Sequence, residues 1–181
     1  MLFKTVSAAA ASITAVLTVA YAQPPERNSG PVFDGFGMWA PIDNELPTPT
    51  DQTFKVIYDM SDAAPEGRVH PRVDSAARFI NMMVTEGVPQ ENLHFALVAH
   101  GPSMWDLTTQ EAFERKYPGR ENTSASAVVE MAEAGVEFYI CGQAAAWHGI
   151  TNEDLLPGVT MALSQPIATT ILHNRGYQNV P

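Results

Sequence analysis

Short runs of consecutive apolar residues recur from residue 54 onward, and such runs are typical of buried β-strands. Four of them predict strands at residues 54–58, 93–99, 136–141 and 159–163. Most of these runs are nearly continuous, with little alternation between apolar and polar positions. This pattern favours a parallel sheet that is covered on both faces.

Between these strands, apolar residues recur every three or four positions, as they do on one face of an α-helix. The clearest helix covers residues 73–84, and Gly87 and Pro89 end its pattern. Further helices are predicted near residues 109–116, from residue 125 to Gly135, and from Ser164 to Gly176. The alternation of strands and helices predicts an α/β fold with a mainly parallel sheet of about four to five strands.

The first 22 residues have the pattern of a cleaved secretory signal peptide. Lys4 supplies a positive charge, residues 8–20 are largely apolar, and Ala20-Tyr21-Ala22 forms a cleavage motif. The apolar stretch is shorter than the roughly 20 residues of a membrane-spanning helix, which makes an uncleaved anchor the less favoured alternative. We therefore expect a periplasmic or secreted protein, with no transmembrane anchor after cleavage.

Residues 23–52 contain six prolines and little periodicity, which predicts an extended N-terminal arm without a core of its own. The middle of the arm carries Phe33, Phe36, Met38 and Trp39. These side chains predict that the arm docks on the domain or on a neighbouring subunit. Residues 53–181 have the size of one domain.

Composition excludes several classes of function. The chain has a formal net charge of −10 and no cluster of Lys or Arg along its sequence, so nucleic acid is not an expected partner. Neither G-x-G-x-x-G nor G-x-x-x-x-G-K-[ST] occurs, so no nucleotide cofactor is expected.

Cys141 is the only cysteine, although exported proteins usually pair their cysteines. A single thiol is either buried and inert, joined to another chain, or kept for chemistry. Cys141 ends the third predicted strand, and the following residues GQAAAWHG can begin a helix. The positive end of that helix would lower the thiol pKa and produce a nucleophilic thiolate, provided that solvent reaches the sulfur. The alternative is a small buried side chain that closes the strand.

His100 lies at the end of the second strand, followed by Gly101 and Pro102 in a turn. It could polarise the thiol or accept its proton, or its ring could bond only the loop backbone. His148 lies seven residues beyond Cys141, about two helical turns, so it would not touch the sulfur and is expected at the solvated surface. The residues expected to line a substrate pocket are Gly101, Pro102, Gly142, Gln143 and His148.

Cys141, His100 and His148 could in principle bind copper or zinc. However, the chain has no C-x-x-C and no H-E-x-x-H spacing, so no metal ligands are assigned. Asp59 and Asp62 follow the first strand and are expected to be solvated loop residues.

The segments CGQAAAWHGI, VAHGPS, DLLPGV and NRGY, taken together, resemble the DsrE/DsrF-like family of sulfur-handling proteins, and the resemblance runs from about Phe54 to Tyr177. It implies a three-layer α/β/α domain, assembly into homotrimers or homohexamers, and a cysteine that carries sulfane sulfur as a persulfide. The family pattern C-x-x-A-A coincides with Cys141, Ala144 and Ala145. The chain departs from the sulfur-relay members at Trp147 and His148, where those members are more basic, and in its predicted export.

These observations lead to two hypotheses. In the first, the protein is an exported sulfur carrier or sulfurtransferase-like protein, in which Cys141 accepts sulfur from a donor and yields it to an acceptor protein or small thiol. The sequence leaves open whether this transfer is catalytic. In the second, the protein is a non-catalytic oligomeric binding module, and Cys141 lines a pocket for a small ligand or for copper or zinc.

Overall fold

A computed structural model describes residues 26–180, so the predicted signal peptide at residues 1–22 lies outside the described part of the chain. Within these described residues, five strands and five α-helices alternate through most of the domain. In chain order they are β1 (Phe54–Met60), α1 (Pro71–Thr85), β2 (Leu93–Ala99), α2 (Gln110–Lys116), α3 (Ala125–Glu133), β3 (Glu137–Cys141), α4 (Gly142–Trp147), β4 (Val159–Ala162), α5 (Gln165–Asn174) and β5 (Gln178–Asn179). Within residues 26–180, no helix is both long enough and apolar enough to span a membrane.

The five strands form one sheet in the order β4-β3-β2-β1-β5, and each neighbouring pair is parallel. One face packs against α1 and α3 through residues such as Phe95, Leu97 and Phe138. The other face packs against α5 through Ala96 and Val98. Because both faces of β2 are covered, both sets of its alternating side chains are apolar, which explains its continuous apolar run. The predicted three-layer α/β/α fold is confirmed.

Several details differ from the predictions. β1 extends two residues beyond the predicted strand, to Met60. The segment expected to be a loop after β2 is a 3₁₀ helix, Gly101–Leu107, and most of its side chains are buried. β5 was not among the four strands predicted from apolar runs, because its two residues, Gln178 and Asn179, are polar and exposed. Its backbone pairs with β1 and thereby widens the sheet by one strand.

The N-terminal arm docks on its own domain, the first of the two alternatives that its aromatic residues raised. Phe33 is only 1% exposed and belongs to the core cluster against α1. The buried amide of Asn81 in α1 accepts hydrogen bonds from the backbone N–H groups of Val32 and Phe33 at 3.1 and 2.9 Å. Gly37 lies so close to α1 that a Cβ at this position would be 2.7 Å from Ala77. A buried ring, a buried amide and a close backbone contact therefore all help to hold the arm on α1.

Candidate functional site

The carboxyl ends of β1, β2 and β3 lie side by side, and the chemically distinctive residues of the sequence gather there. Ala99 of β2 is in register with Ile140 of β3. His100 and Cys141 therefore occupy the next position on neighbouring strands, whose backbones lie about 4.8 Å apart in a typical sheet. The sequence-based expectation that strand ends bring these two residues to one edge agrees with this register.

His100 is oriented by a carboxylate on the neighbouring strand. Its Nε2 donates a hydrogen bond of 2.9 Å to Oδ2 of Asp59, and Oδ1 of Asp59 accepts a second bond from Gln165 Nε2 at 2.9 Å. Because a carboxylate only accepts hydrogen bonds, the proton of a neutral His100 ring lies on Nε2. Nδ1 is then the basic nitrogen. The ring thus bonds to a side chain, and the alternative of a bond to the loop backbone is wrong.

Sequence reasoning did not identify Asp59 and Gln165 as partners of His100. Asp59 was expected to be a solvated loop residue, but it belongs to β1, and its side chain is about 39% exposed. Gln165 is the first residue of α5, about a hundred residues further along the chain. Only the register of β1 with β2 and the position of α5 bring these groups together. No spacing in the sequence could have shown this.

Gly101 and Pro102 form the turn that follows His100. Gly101 has a φ of +57°, and a Cβ there would lie 3.2 Å from the carbonyl oxygen of Ser61. Ser103, buried in the same turn, donates to the carbonyl oxygens of Met60 and His100 at 2.6 and 2.9 Å. The turn therefore ties the end of β2 to the end of β1 and holds His100 beside Asp59. This positioning role is more evident than the pocket-lining role expected from the sequence.

Cys141 is less exposed than the transfer chemistry requires. It is the last residue of β3 and immediately precedes α4, as predicted, but only 8% of the residue is exposed. Its neighbours form an apolar cluster that includes Met104, Trp105, Phe113, Ile140, Ala145 and Ile150. The expectation of a thiol open to solvent is therefore not met in a single copy of the chain. A reactant can reach the sulfur only at the small exposed part of the residue, or after the 3₁₀ helix or α4 moves away from it.

Gly142 allows β4 to pack directly against the residue after the thiol. A Cβ on Gly142 would lie 2.5 Å from the carbonyl oxygen of Ala162, closer than real Cβ contacts. Gln143 is exposed, and its amide donates a long 3.4 Å hydrogen bond to the carbonyl oxygen of Leu163. Gly142 and Gln143 therefore connect α4 to the edge strand β4 and set the position of Cys141.

His148 follows α4 and is exposed, as the sequence predicted. Its ring centroid lies 6.1 Å from that of Trp105, in an edge-on orientation. Trp105 belongs to the apolar cluster around Cys141, so His148 borders the cluster from outside. No group of three or more His, Cys, Asp or Glu side chains suited to a metal ion occurs within residues 26–180.

The 3₁₀ helix that covers Cys141 also contains a buried acid that sequence reasoning missed. Asp106 is 2% exposed, and its Oδ2 accepts a hydrogen bond of 2.9 Å from the backbone N–H of Ala64. Burial raises the pKa of its carboxyl to about 6, although the Ala64 hydrogen bond and the charge of Arg120 oppose this. Asp106 thus titrates near neutral pH only two residues from Met104.

Two surface features lie near the strand ends. A cavity of about 380 Å³ is lined by Asp59, Ser61 and Asp62 at the end of β1, together with His70 and Arg72. It offers space for a small molecule on the Asp59 side of the His100–Asp59 pair.

The second feature is a set of exposed apolar side chains that we call the apolar rim: Trp147, Leu163, Ile167 and Ile171, which are 88%, 69%, 44% and 53% exposed. These residues lie on α4, after β4 and on α5. Exposed apolar groups of this size often mark a surface that another protein covers.

Comparison with known proteins places the chain in a family. Its structure is similar to that of MTH1491, a protein of unknown function from Methanobacterium thermoautotrophicum, with 16% identity, a TM-score of 0.50, and coverage of 70% of this chain and 97% of that one. The ychN protein from E. coli gives 15% identity, a TM-score of 0.47, and coverage of 71% and 97%. No curated protein sequence matches the chain. The sequence model of the DsrE/DsrF-like family matches residues 54–181, and the chain therefore belongs to the DsrE/DsrF-like family.

Proposed function

We propose that this protein is an exported sulfur carrier or sulfurtransferase-like protein that holds sulfane sulfur as a persulfide on Cys141. One observation carries the proposal: the only cysteine of a DsrE/DsrF-like chain ends β3 immediately after Ile140, whose partner Ala99 on β2 immediately precedes His100, and His100 is bound by Asp59. A thiol, a nearby base and a group that orients the base are the parts that nucleophilic sulfur chemistry needs.

The proposed reaction transfers one sulfur atom in two displacements. The Cys141 thiolate attacks the sulfane sulfur of thiosulfate or a polysulfide, a new S–S bond forms, and sulfite or a shortened polysulfide leaves with the electron pair of the broken bond. An acceptor thiolate then attacks the outer sulfur, and Cys141 leaves as a thiolate. The basic Nδ1 of His100 is suited to accept the proton of the Cys141 thiol before the first step.

The burial of Cys141 limits what can react with it. With 8% of the residue exposed, a small anion or small thiol has the readiest access. A protein donor or acceptor would have to displace α4 or the 3₁₀ helix that contains Met104. The apolar rim includes Trp147, the last residue of the helix that follows Cys141. We propose that a partner protein or another copy of the chain covers the rim, in a homotrimer or homohexamer.

If the protein is exported, its sulfur donors and acceptors must be in the same compartment. The signal-peptide pattern of residues 1–22 supports a periplasmic or secreted location. Donors and acceptors in that compartment would differ from those of cytoplasmic sulfur relays. Small sulfur compounds and exported thiol proteins are the partner classes that remain.

Mass spectrometry of the intact mature protein tests the proposal. Incubation with thiosulfate or polysulfide should add about 32 Da per sulfur atom at Cys141, and a reducing thiol should remove the addition. Cys141→Ser should fold normally and take up no sulfur. Unchanged mass with every donor, together with a thiol that resists alkylation in the folded protein, would contradict the proposal.

The burial of Cys141 specifically favours a second candidate, the non-catalytic oligomeric binding module. In this case Cys141 is a packing residue of the apolar cluster, and a small ligand binds at a site that includes this cluster. A copper or zinc version has weaker support, because residues 26–180 bring no three suitable ligands together. Strong destabilisation of Cys141→Ser, with no sulfur uptake by the parent protein, would support this candidate over the first.

A further inference from the structure

A cavity between the N-terminal arm and the start of α1 concentrates positive charge in an acidic protein. The cavity measures about 410 Å³, and we call it the basic pocket. Its lining includes Arg27, Arg68 and Arg78, three of the ten Lys and Arg residues in a chain of net charge −10. Arg27 lies in the arm, far from Arg68 and Arg78 in the sequence, so the pocket forms only when the arm docks on the domain.

Among residues 26–180, a single acid lines the basic pocket, and it is already paired. Asp74 Oδ2 lies 2.6 Å from Nη2 of Arg78, while Oδ1 accepts a hydrogen bond of 2.8 Å from the backbone N–H of Gly37. Arg78 also donates from Nε to the carbonyl oxygen of Met38 at 2.8 Å. Asp74 and Arg78 therefore neutralise each other and join the arm to α1.

The other two arginines carry the net positive charge of the pocket. The guanidinium groups of Arg27 and Arg68 make no ion pair or hydrogen bond with any other residue between 26 and 180. Against the single carboxylate, the three guanidinium groups leave two positive charges facing one concave space. A concave surface of one charge sign raises the local concentration of counter-ions.

The remaining lining supplies further donors for an anion. Pro71 and Ser75 belong to the first turns of α1, a helix of 15 residues whose N-terminal end is electropositive. The hydroxyl of Ser75 can donate a hydrogen bond. Guanidinium groups match the geometry of sulfate, phosphate and carboxylate oxygens through two parallel hydrogen bonds. We infer that the basic pocket binds a small divalent tetrahedral oxyanion, such as sulfate or phosphate.

This site would link anion binding to the position of the arm. Arg27 belongs to the arm, whereas Arg68 belongs to the domain immediately before α1. An anion held by both groups bridges the two segments, so it stabilises the docked arm by mass action. The site lies apart from Cys141 in the sequence and in its contacts, and it does not depend on the sulfur-transfer proposal.

Isothermal titration of the mature protein with sodium sulfate tests the inference, with sodium chloride at the same ionic strength as the reference. Sulfate should bind saturably, and the side-chain Nε–H signals of Arg27 and Arg68 should shift in parallel in ¹⁵N NMR spectra. Arg68→Gln and Arg27→Gln should each weaken binding roughly tenfold, the loss expected for one charge-assisted hydrogen bond. Both variants should fold, because neither guanidinium supports another described residue.

Lys116→Gln is the matched control, since Lys116 is an exposed cation of α2 outside the pocket. It should retain the affinity for sulfate, and so should Cys141→Ser. Phosphate titrated in the same way distinguishes a phosphate site from a site for tetrahedral anions in general. Equal responses to sulfate and chloride, or equal losses in Arg68→Gln and Lys116→Gln, would overturn the inference in favour of general charge screening.

Discussion

Replacement of Asp106 by asparagine should stabilise the protein near neutral pH and change how its stability depends on pH. Asp106 is buried in the 3₁₀ helix that packs Met104 and Trp105 around Cys141. Asparagine has nearly the same shape, and its side-chain oxygen can still accept the hydrogen bond from Ala64. The substitution therefore removes a buried charge with little change in packing.

The structure gives both the direction and the size of the effect. Burial raises the Asp106 pKa from 3.8 to about 6, so the folded protein holds this proton more tightly than the unfolded chain does. The bound proton contributes its full stability below pH 3.8, and this contribution is lost as the pH rises through about 6. A pKa shift of this size means that the folded protein loses about 3 kcal/mol of stability between low pH and neutral pH. The asparagine side chain of the variant has no such proton to lose and avoids this cost.

Urea unfolding of the parent protein and of Asp106→Asn at a series of pH values from 4 to 8 measures the effect. The difference in free energy of unfolding should be small near pH 4 and should grow to about 3 kcal/mol above pH 7. Asp43→Asn, at an exposed position in the arm, is the control and should show no such trend. Parallel pH profiles for the parent protein and Asp106→Asn would refute the reasoning.

Three further substitutions test the arm, a surface network and the candidate site. Asn81→Leu removes the amide that binds the arm. Backbone hydrogen exchange at residues 32 and 33 should therefore accelerate, and the free energy of unfolding should fall by about 2 kcal/mol. Unchanged exchange would contradict the proposed docking of the arm through Asn81. Burial alone would raise the pKa of Glu137, but hydrogen bonds from Arg175 and two tyrosines lower it to about 2. The stabilising contribution of Glu137 is therefore present above pH 4.5 and lost toward pH 2. Chemical unfolding should show that Glu137→Gln lowers stability by about 1–2 kcal/mol at pH 7. An equally large loss at pH 2 would count against the network. Asp59→Asn leaves the His100 ring without its carboxylate, so sulfur loading should slow about tenfold while the final extent stays unchanged; a loading rate equal to that of the parent protein would remove Asp59 from the site.

The sequence predicted the core strands and helices well because their apolar runs and capping residues match the covered faces and helix starts in the structure. The run at residues 93–99 became β2 with the predicted bounds, since both of its faces are covered in the structure. Ser164 caps α5 as predicted, and its hydroxyl accepts a hydrogen bond from the backbone N–H of Ile167. The short strand β5 lacked such a pattern. It forms because the exposed edge of β1 offers backbone partners to two polar residues.

The candidate site was predictable in its location but only partly in its environment. The parallel direction of β2 and β3 brings His100 and Cys141 to one edge of the sheet, and the predicted parallel sheet was sufficient to expect this. The burial of Cys141 depends on Met104 and Trp105, which lie more than thirty residues earlier in the chain. No local pattern around Cys141 encodes that contact, so the sequence could not show how far the thiol is covered.

The most direct test of the central claim is the intact mass of the folded, mature protein during exposure to polysulfide, with circular dichroism recorded on the same sample. The proposed carrier should gain about 32 Da at Cys141 while its circular dichroism stays native, and should return to its starting mass when an acceptor thiol is added. A mass that changes only after denaturant exposes the thiol would contradict the account.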